Sequence, residues 1–365
     1  MSEHKRLTAP IAPGGTIGIL GGGQLGRMLA LAAARLGLKT HIYSDEENAP
    51  AFQVAALRTH ARYDDEAVLA AFAGACDAVT FEFENVPSVT AEFLADHVPV
   101  NPNPRALAIC QDRLAEKNFI ASLGLKTPLF ASIASADDAR DGIAKIGAPA
   151  VLKTCRMGYD GKGQAKIADA GDIVQALGSF KGAPAILEAF VDFSFEASIV
   201  AARGADGAFA AYDPPENAHE NHILKRSTVP SRLSAAQADE AKAMAWKIAE
   251  AFGYVGVFAV ELFVGRDGAL LVNEIAPRVH NSGHWTIEAC VVSQFEQHIR
   301  AVAGWPLGDG SRHSDAVMEN LIGEEANDWR ALSARGGALH LYGKSEARAG
   351  RKMGHITWLT KKDGG

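Results

Sequence analysis

The stretch between residues 16 and 43 restricts the fold most strongly, because a helical pattern lies between two short apolar segments. The first segment, residues 16–20, leads into a glycine-rich turn with the sequence GGGQLG, after which apolar residues recur at helical spacing until Gly37. Residues 39–43 then predict a second strand. Two strands that are connected through a helix form a parallel unit with a right-handed crossover. The sequence therefore predicts an α/β fold that begins with a parallel sheet.

The glycine-rich turn also predicts an anion near the start of the first helix. In Gly21-x-Gly23-x-x-Gly26 the missing side chains let the backbone approach a phosphate, and the helix start offers free N–H donors and a partial positive charge. Asp45 follows at the end of the second strand, as in dinucleotide-binding proteins. A sugar monophosphate fits this turn as well as a pyrophosphate does. Three interpretations stay open: a nicotinamide or flavin dinucleotide, another anionic ligand, or tight packing alone.

The bulk properties favour a reduced, globular protein that acts on small molecules. At 365 residues the chain is long enough for two or three domains, and 48% of its residues are hydrophobic and 22% charged. Its four cysteines are widely scattered, and its net charge of -7 argues against a nucleic-acid partner. No apolar run approaches the roughly 18 residues of a membrane span, and no signal-peptide pattern is present, so we expect a cytoplasmic protein.

Proline and glycine content indicates where the domains meet. Three prolines lie within residues 99–104, where they remove backbone donors and restrict their neighbours, so we predict a first domain over residues 1–103. Residues 104–295 contain further strands and helices, including a helix predicted over 106–123, and form the second domain. Residues 296–365 are rich in glycine and short apolar runs, which predicts a small third unit.

A basic, glycine-rich segment follows an apolar strand at residues 150–154. Lys153 stands at the end of that strand, and residues 155–164 (CRMGYDGKGQ) hold three glycines in six positions together with Arg156 and Lys162. Such a flap can lay cations and backbone N–H groups over a polyphosphate. The segment lacks the GxxxxGK[ST] order of a P-loop. The alternative interpretation is a basic hairpin with a solvated tip.

A predicted hairpin carries two glutamates in positions that suit a metal ion. If Asp267 and Gly268 alone form its turn, Glu261 lies directly opposite Glu274. Like charges that face each other on neighbouring strands are destabilising, so we expect a cation between them. Together with Asn273 the pair offers the hard oxygen ligands that Mg²⁺ prefers. A four-residue turn would make the glutamates diagonal neighbours, and an unpaired or protonated structural pair is the alternative.

Polar residues are unusually dense between residues 273 and 286. The run contains one carboxylate, one guanidinium and two imidazoles, and its polar residues include Glu274, Arg278, His280, Asn281 and His284. Burying such groups without partners is costly, so the run predicts a ligand site, with a solvated loop as the alternative. Further upstream, the strand end at residues 188–191 offers backbone groups to an adenine edge, and Glu196 could accept from ribose hydroxyls. A core strand is the alternative there.

Taken in chain order, these features resemble the nucleotide site of the ATP-grasp superfamily. Four runs are more specifically similar to the N5-carboxyaminoimidazole ribonucleotide synthase family: residues 21–28, 158–164, 273–286 and 350–355. The third run is the most specific, because ATP-grasp enzymes outside this family generally lack its His-Asn-Ser-Gly-His sequence. The resemblance extends from about residue 15 to 360 of the chain.

The resemblance implies a fold of the α/β and α+β classes with three domains: a Rossmann-like N-terminal domain, a central ATP-grasp domain and a small β-rich C-terminal domain. It also implies a homodimer. The family's reaction, in purine biosynthesis, uses ATP and Mg²⁺ to join bicarbonate to 5-aminoimidazole ribonucleotide through carboxyphosphate. The expected products are N5-carboxyaminoimidazole ribonucleotide, ADP and phosphate.

The site residues expected from this resemblance fall into four groups. Contacts to ATP are expected from Arg113, Lys153, Gly158, Tyr159, Asp160, Gly161, Lys162, Gly163, Gln164, Glu188, Ala189, Phe190, Val191, Glu196, His219, Asn273 and Glu274. Mg²⁺ would be held by Glu261 and Glu274. The ribonucleotide would be bound by Gln24, Leu25, Glu82, Arg278, His280, Asn281, Lys344 and Arg351. Catalytic roles toward bicarbonate are expected for Tyr159, Asp160, Lys162 and Arg278.

Three other functions are weighed against this expectation. An NAD-dependent oxidoreductase would account for the glycine turn and Asp45 but not for the flap or the glutamate pair. A non-enzymatic nucleotide sensor would not need so complete a set of ligands. Another ATP-grasp ligase of purine synthesis, one that uses formate or a glycinamide ribonucleotide, would differ in its second substrate.

Overall fold

The computed structural model describes residues 4–156, 158 and 163–362. Its helices are α1 (Gln24–Arg35), α2 (Glu66–Gly74), α3 (Ser88–Ala95), α4 (Pro104–Cys110), α5 (Arg113–Ser122), α6 (Ala136–Ile146), α7 (Ile173–Ser179), α8 (Ala235–Phe252), α9 (Thr286–Ala289), α10 (Gln294–Val302) and α11 (Trp329–Ser333). Its strands are β1 (Thr16–Leu20), β2 (Lys39–Ser44), β3 (Leu57–His60), β4 (Ala78–Phe81), β5 (Phe130–Ile133), β6 (Ala150–Thr154), β7 (Gln164–Ile167), β8 (Ala185–Ala189), β9 (Phe193–Arg203), β10 (Phe209–Ala211), β11 (Glu216–Glu220), β12 (Ile223–Val229), β13 (Gly256–Gly265), β14 (Leu270–Ala276), β15 (Ser314–Ile322), β16 (Ala338–Leu341) and β17 (Lys352–Lys361). Within these residues we find no helix with the length and hydropathy needed to cross a membrane.

The N-terminal part is the predicted parallel α/β unit. Its four strands lie in the order β3-β2-β1-β4, and β1 pairs in parallel with both β2 and β4. Helix α1 ends as expected, with Gly37 in the left-handed region at φ +74°. Because parallel strands end at the same edge, the carboxyl ends of β1 and β4 place the glycine turn beside residues 82–84.

Two further sheets form the rest of the molecule. A small antiparallel sheet has the order β5-β8-β6-β7, and a large one has the order β14-β13-β9-β11-β12-β15-β17-β16, with β10 on β9. Strand β15 pairs antiparallel with β12, so the C-terminal strands extend the large sheet. The predicted class of mixed α/β and α+β structure is confirmed. The predicted boundary between residues 295 and 296 falls within α10, whereas the one between 103 and 104 falls at the start of α4.

The helix predicted over residues 106–123 is two helices, α4 and α5, and the single-helix prediction was wrong. Asp112 interrupts it by capping α5, since its side chain accepts hydrogen bonds from two backbone N–H groups of the first turn, each at 3.1 Å. An aspartate within a run of periodic apolar residues can thus end one helix and cap the start of the next. The break directs Arg113 and Lys117 of α5 towards β14.

In the β13–β14 hairpin the two predicted metal ligands face each other, although the turn and the strand pairing differ from the prediction. Its turn spans three residues, 266–268, rather than two, and Gly268 takes the left-handed φ of +81° that such loops require. Pairing next to the turn is therefore displaced by one residue. A β-bulge beside Asn273 shifts the register back, and Glu261 pairs with Glu274. The predicted turn was wrong, but the predicted facing of the two glutamates is confirmed.

Helix α8 covers one face of the large sheet and begins with the predicted capping box. Its buried residues, among them Ala245 and Ile248, pack in one apolar cluster with Ile199 of β9 and other strand residues. At its start, the Ser234 hydroxyl accepts from the N–H of Gln237 at 3.3 Å, and the Gln237 side chain accepts from the N–H of Ser234 at 2.9 Å.

We expect Ser234→Ala to lower the free energy of unfolding by about 1 kcal/mol, because one N–H of the first helical turn loses its acceptor. Urea denaturation followed by circular dichroism measures the change. Catalytic constants should be unaffected, since Ser234 lies outside the predicted site. An unchanged denaturation midpoint would show that water replaces the cap without loss.

Candidate active site

A cavity of about 640 Å³ lies where the parallel sheet, the segment after β14 and the C-terminal strands meet. It is lined by all the residues that the resemblance assigns to the ribonucleotide: Gln24, Leu25, Glu82, Arg278, His280, Asn281, Lys344 and Arg351. These residues come from widely separated parts of the sequence. The fold therefore assembles one polar cavity of a size suited to a small-molecule ligand.

The glycine turn at the start of α1 is occupied by a carboxylate of the chain itself. Glu82 accepts from the backbone N–H of Gly23 at 2.6 Å and from that of Gly26 at 2.9 Å. A Cβ on Gly21 would lie only 2.4 Å from Glu82 Cγ, and Gly21 has φ +104°. The glycines thus permit the approach of Glu82, whose carboxyl group occupies the two N–H donors that a ligand anion, as predicted from GxGxxG, would use.

Burial affects the pKa of Glu82. The side chain is 6% exposed, and desolvation raises its pKa, although the hydrogen bonds from Gly26 and Gly23 act in the opposite direction. The neighbouring Gln24 and Leu25 still line the cavity, as predicted. At the start of α1 a ligand would therefore meet Gln24, Leu25 and the Glu82 carboxyl group, because the N–H donors of Gly23 and Gly26 already have an acceptor.

Glu84 and Arg278 form an ion pair in the wall of the same cavity. The Arg278 side chain is 15% exposed and the Glu84 side chain 29%. Burial alone would raise the pKa of Glu84, but the charge and hydrogen bond of Arg278 lower it to about 2. Glu84 was not predicted as a site residue. Its alternation with Glu82 across Phe83 was the available signal, because it places both carboxylates on one face.

Cations from the C-terminal part of the chain also line the cavity. Lys344 and Arg351 were predicted there, and Arg348 and Lys352 line the cavity as well. The Lys344 ammonium donates to the Lys352 carbonyl at 2.7 Å. Burial first, and the charge of Arg351 second, lower the pKa of Lys344 to about 8. This wall suits an anionic group such as a phosphate.

The residues predicted to bind ATP include a buried cluster of ion pairs that joins the two antiparallel sheets. Lys153 of β6 lies 2.9 Å from Glu188 of β8. Lys117 of α5, which is 1% exposed, lies 3.7 Å from the same carboxylate and donates to the Asn273 carbonyl at 2.6 Å. Burial lowers the pKa of Lys117, while Glu188 opposes this effect. Lys117 was not predicted, because nothing local in the sequence marks it.

The strand end predicted to meet adenine is formed by the last residues of β8. The N–H groups of Ala189 and Phe190 are already engaged by the carbonyls of Leu129 and Pro149, at 2.8 and 3.2 Å. Phe190 is 45% exposed, and Val191 follows it immediately. The adenine edge, if it binds here as predicted, would therefore meet the backbone beyond Phe190, at Val191.

Glu196 and His219, both predicted near ATP, are hydrogen bonded to each other at 2.7 Å. They lie on the neighbouring strands β9 and β11. Burial opposes protonation of His219, but the hydrogen bond and charge of Glu196 raise its pKa overall. The pair therefore holds a fixed orientation on the face of the large sheet.

Each of the facing glutamates has a basic partner among the described residues. Arg113 donates to Glu274 at 3.2 Å and to the Gly158 carbonyl at 2.9 Å, and His280 Nε2 lies 2.9 Å from Glu261. Burial would raise the pKa of Glu261, but the hydrogen bond from His280 lowers it to about 2. An ionised carboxylate opposite a second one is a set of hard oxygen donors, and it fits Mg²⁺.

His280 connects the two sites. It lines the cavity, and its ring lies between Glu261 and Ser282, whose hydroxyl is 2.8 Å from Nδ1. Ser282 in turn lies 2.7 Å from the Ser198 hydroxyl on β9. These buried hydroxyl groups fix the orientation of the imidazole. The same side chain thus touches the cavity and the carboxylate that would hold the metal.

The other histidine of the polar run has a structural position. His284 is fully buried, outside the cavity lining, and 3.2 Å from the Gln294 amide. Burial and the neighbouring His355 lower its pKa well below the usual value. Near it, His340 and His355 stack with ring centroids 4.5 Å apart and rings 6° from parallel, and His340 Nε2 lies 2.7 Å from Glu288 Oε1. The ligand site predicted for this polar run therefore does not include His284 among its lining residues.

Part of the predicted flap can be located. Gly158 accepts from Arg113, Gly163 accepts from the Thr154 N–H at 2.8 Å and has φ +68°, and Gln164 begins β7. The predicted residues Tyr159, Asp160, Gly161 and Lys162 lie outside the described residues. The two ends of the flap therefore lie next to Arg113 and the end of β6.

Comparison with known protein families accounts for most of the chain. The ATP-grasp domain matches residues 118–295, the ribonucleotide synthetase preATP-grasp domain matches residues 15–111, and the phosphoribosylaminoimidazole carboxylase C-terminal domain matches residues 316–364. Along the chain, these three matches correspond to the N-terminal parallel unit, the central part and the C-terminal strands.

Full-length relatives and solved structures agree with these matches. N5-carboxyaminoimidazole ribonucleotide synthase of Brucella melitensis biotype 1 is 51% identical over 95% of this chain and 97% of its own, and that of Bacillus subtilis (strain 168) is 40% identical over 97% and 93%. The crystal structure of an N5-carboxyaminoimidazole ribonucleotide synthetase with ADP superposes with a TM-score of 0.93 at 40% identity, covering 98% of this chain and 95% of that one. The Aspergillus clavatus synthase with ADP and 5-aminoimidazole ribonucleotide has a TM-score of 0.89 at 31% identity, covering 96% and 94%. This chain belongs to the N5-carboxyaminoimidazole ribonucleotide synthase family of ATP-grasp proteins.

Proposed function

We propose that this protein uses ATP and bicarbonate to carboxylate the amine of 5-aminoimidazole ribonucleotide, giving N5-carboxyaminoimidazole ribonucleotide, ADP and phosphate in purine biosynthesis. One observation carries the proposal. His280 lines the ribonucleotide-sized cavity and lies 2.9 Å from Glu261, one of the two facing carboxylates. A single side chain therefore joins the acceptor site to the place where a nucleotide-bound metal would be held.

On the nucleotide side, the cations of Lys153 and Arg113 neutralise phosphate oxygens, while Glu188, which also pairs with Lys117, holds Lys153 in place. Glu196 with His219 lies on the face of the large sheet, where ribose hydroxyls can be met, and the residue after Phe190, Val191, lies at the strand end for adenine. Glu261 and Glu274, with Asn273 beside them, would hold Mg²⁺. When bound, this ion neutralises charge on the phosphates during transfer.

Bicarbonate oxygen attacks the γ-phosphorus, the bond to ADP breaks, and carboxyphosphate forms. The amine of the ribonucleotide then attacks the carboxyphosphate carbon, phosphate leaves, and the amine proton passes to a base or to solvent. Activation is needed because a carbonate oxygen is a poor leaving group at neutral pH. Our proposal assigns bicarbonate and carboxyphosphate to Arg278 and to the flap residues Tyr159, Asp160 and Lys162, with backbone donors of residues 158–164 over the phosphates.

On the acceptor side, the cations Lys344 and Arg351 are proposed to take the phosphate of the ribonucleotide. Arg278, His280 and Asn281 lie on the wall nearest Glu261, with Gln24, Leu25 and Glu82 completing the cavity. Glu82 at the start of α1 counts against a dinucleotide there, because its carboxyl group already accepts from the Gly23 and Gly26 N–H groups that a pyrophosphate would need. We also propose a cytoplasmic homodimer, which analytical ultracentrifugation and cell fractionation can test.

A panel of second substrates tests the proposed function. With ATP and Mg²⁺ present, phosphate release should require both bicarbonate and 5-aminoimidazole ribonucleotide. Formate with a glycinamide ribonucleotide should give no release, and NAD(H) should show no binding by calorimetry. Phosphate release that ignores the aminoimidazole ribonucleotide would refute the proposal, and release with the formate pair would assign the protein to another ATP-grasp activity.

The affinity for the ribonucleotide should fall as pH rises through about 8. The reason is that the pKa of Lys344 is lowered to about 8 by burial and by Arg351, with Lys352 acting in the same direction and Glu82 and Glu46 against it. Below that pH the amine is charged and can bind a phosphate; above it the charge is lost. Calorimetric titration between pH 7 and 9 measures the effect. Lys344→Arg should remove the pH dependence, and a wild-type affinity that is flat over this range would contradict the assignment.

A further inference from the structure

Asn281 reaches the cavity with its amide already paired to another buried amide. Its Nδ2 donates to Asn320 Oδ1 at 2.9 Å, and its Oδ1 accepts from Asn320 Nδ2 at 2.6 Å. Asn281 is 8% exposed and lines the cavity, whereas Asn320 is fully buried behind it. Each amide atom of Asn281 therefore has one partner in the protein and one remaining N–H or lone pair.

A reciprocal pair of amides could, by itself, be turned over in both members at once. The Leu224 carbonyl prevents this, because it accepts from Asn320 Nδ2 at 2.8 Å. Turning Asn320 over would place its carbonyl oxygen against that of Leu224. The orientation of Asn320 is thus set by the backbone of β12, and Asn320 sets the orientation of Asn281.

The backbone that carries Asn320 is itself anchored. The Lys225 ammonium donates to the Asn320 carbonyl at 3.1 Å and to the Glu325 carboxylate at 2.7 and 2.9 Å. Asn320 lies on β15, within the part of the chain that matches the C-terminal family, while Leu224 and Asn281 lie within the ATP-grasp part. The amide pair therefore ties the C-terminal strands to one wall of the cavity.

We propose that Asn320 is a positioning residue for the acceptor substrate: it presents the Asn281 amide to the ribonucleotide in one fixed orientation. This inference rests on the proposed function and deepens it, since it gives the C-terminal strand β15 a role in substrate recognition. Asn320 acts through Asn281 and does not itself line the cavity.

The variant Asn320→Asp tests this with little change of shape. A carboxylate at 320 still accepts from Asn281 Nδ2, but it no longer donates to Asn281 Oδ1 or to Leu224. We expect the Kd for 5-aminoimidazole ribonucleotide, measured by calorimetry, to rise about tenfold, the effect of about one buried hydrogen bond. The Kd for ADP in the same preparation should stay within about twofold, because the nucleotide residues are untouched.

A double-mutant cycle separates positioning from a purely structural role. In an Asn281→Ala background, Asn320→Asp should no longer affect the Kd for the ribonucleotide, whereas its effect on the melting temperature should persist. Gln297→Glu is the matched control. Gln297 is also a fully buried amide that exchanges two hydrogen bonds, with Gly308 at 2.8 and 2.7 Å, and it lies outside the cavity lining.

The outcomes are distinct. If the wild-type protein binds no 5-aminoimidazole ribonucleotide, the proposed function fails and this inference fails with it. If the wild type binds but Asn320→Asp binds equally well, only the positioning role is refuted. Equal loss of ribonucleotide affinity in Gln297→Glu and Asn320→Asp would also overturn it, because the effect would then be one of general stability.

Discussion

Glu274→Gln is expected to reduce ribonucleotide-dependent phosphate release by about a thousandfold or more, because a neutral amide replaces one of two charges that would hold Mg²⁺ on the nucleotide. The structure adds a second effect. Arg113, 3.2 Å from Glu274, loses its charged partner and is left to the Gly158 carbonyl. Steady-state phosphate release over a range of Mg²⁺ concentrations measures the change, and saturation should shift to higher Mg²⁺.

Glu250→Gln is the control for the loss of an arginine–glutamate pair. Arg203 and Glu250 lie 2.6 Å apart with side chains 16% and 41% exposed, close to the 20% and 38% of Arg113 and Glu274. This pair is far along the sheet from Glu261, and its loss should change the melting temperature slightly and turnover not at all. Normal turnover with unaltered Mg²⁺ dependence in Glu274→Gln would refute the metal assignment.

The sequence correctly predicted that Glu261 faces Glu274, although the predicted two-residue turn is not the reason. Alternation within each strand fixes which side chains share a face, and the hairpin fixes the pairing to within one residue. A three-residue turn alone would have displaced the pair, and only the bulge beside Asn273 restores it. A bulge depends on local packing and hydrogen bonding that short-range patterns do not encode.

Local patterns were most reliable where the neighbouring residues decide the structure. The parallel unit at residues 16–43 and the capping box of α8 are of this kind. Other contacts join residues more than 30 positions apart. Glu82 accepts from Gly23 and Gly26, and Asn320 pairs with Asn281. Lys117 contacts Glu188 and Asn273. Such contacts follow from the assembled sheets, so patterns among neighbouring residues do not reveal the partners.

The glycine turn shows that a motif can mark N–H donors without identifying the group that accepts from them. GxGxxG was interpreted as a site for an anionic ligand or as tight packing, and the fold places the carboxyl group of Glu82 at the donors of Gly23 and Gly26. The motif cannot distinguish a ligand from a carboxylate that arrives on β4, because both need the same space and the same donors. Only the position of the neighbouring strand settles which of them is present.

Arg278→Met is expected to abolish turnover and also to destabilise the fold by about 1 to 3 kcal/mol, because Glu84, whose side chain is 29% exposed, would lose its charged partner. The low pKa of Glu84, about 2, is due to Arg278 overcoming burial. Removing the guanidinium should therefore lower both the free energy of unfolding and the turnover. Urea denaturation measures the free energy of unfolding, and ribonucleotide-dependent phosphate release measures the turnover.

The double variant Glu84→Gln with Arg278→Met separates these effects. With no charge left to compensate, most of the lost stability should return, but turnover should stay absent, because the cavity still lacks the guanidinium. Arg312→Met is the matched control, since Arg312 is a 10% exposed arginine paired with Asp213 and Asp315 outside the cavity lining. It should destabilise the protein and leave the KM for the ribonucleotide unchanged. Recovery of turnover in the double variant would show that Arg278 serves the fold alone and has no part in the chemistry.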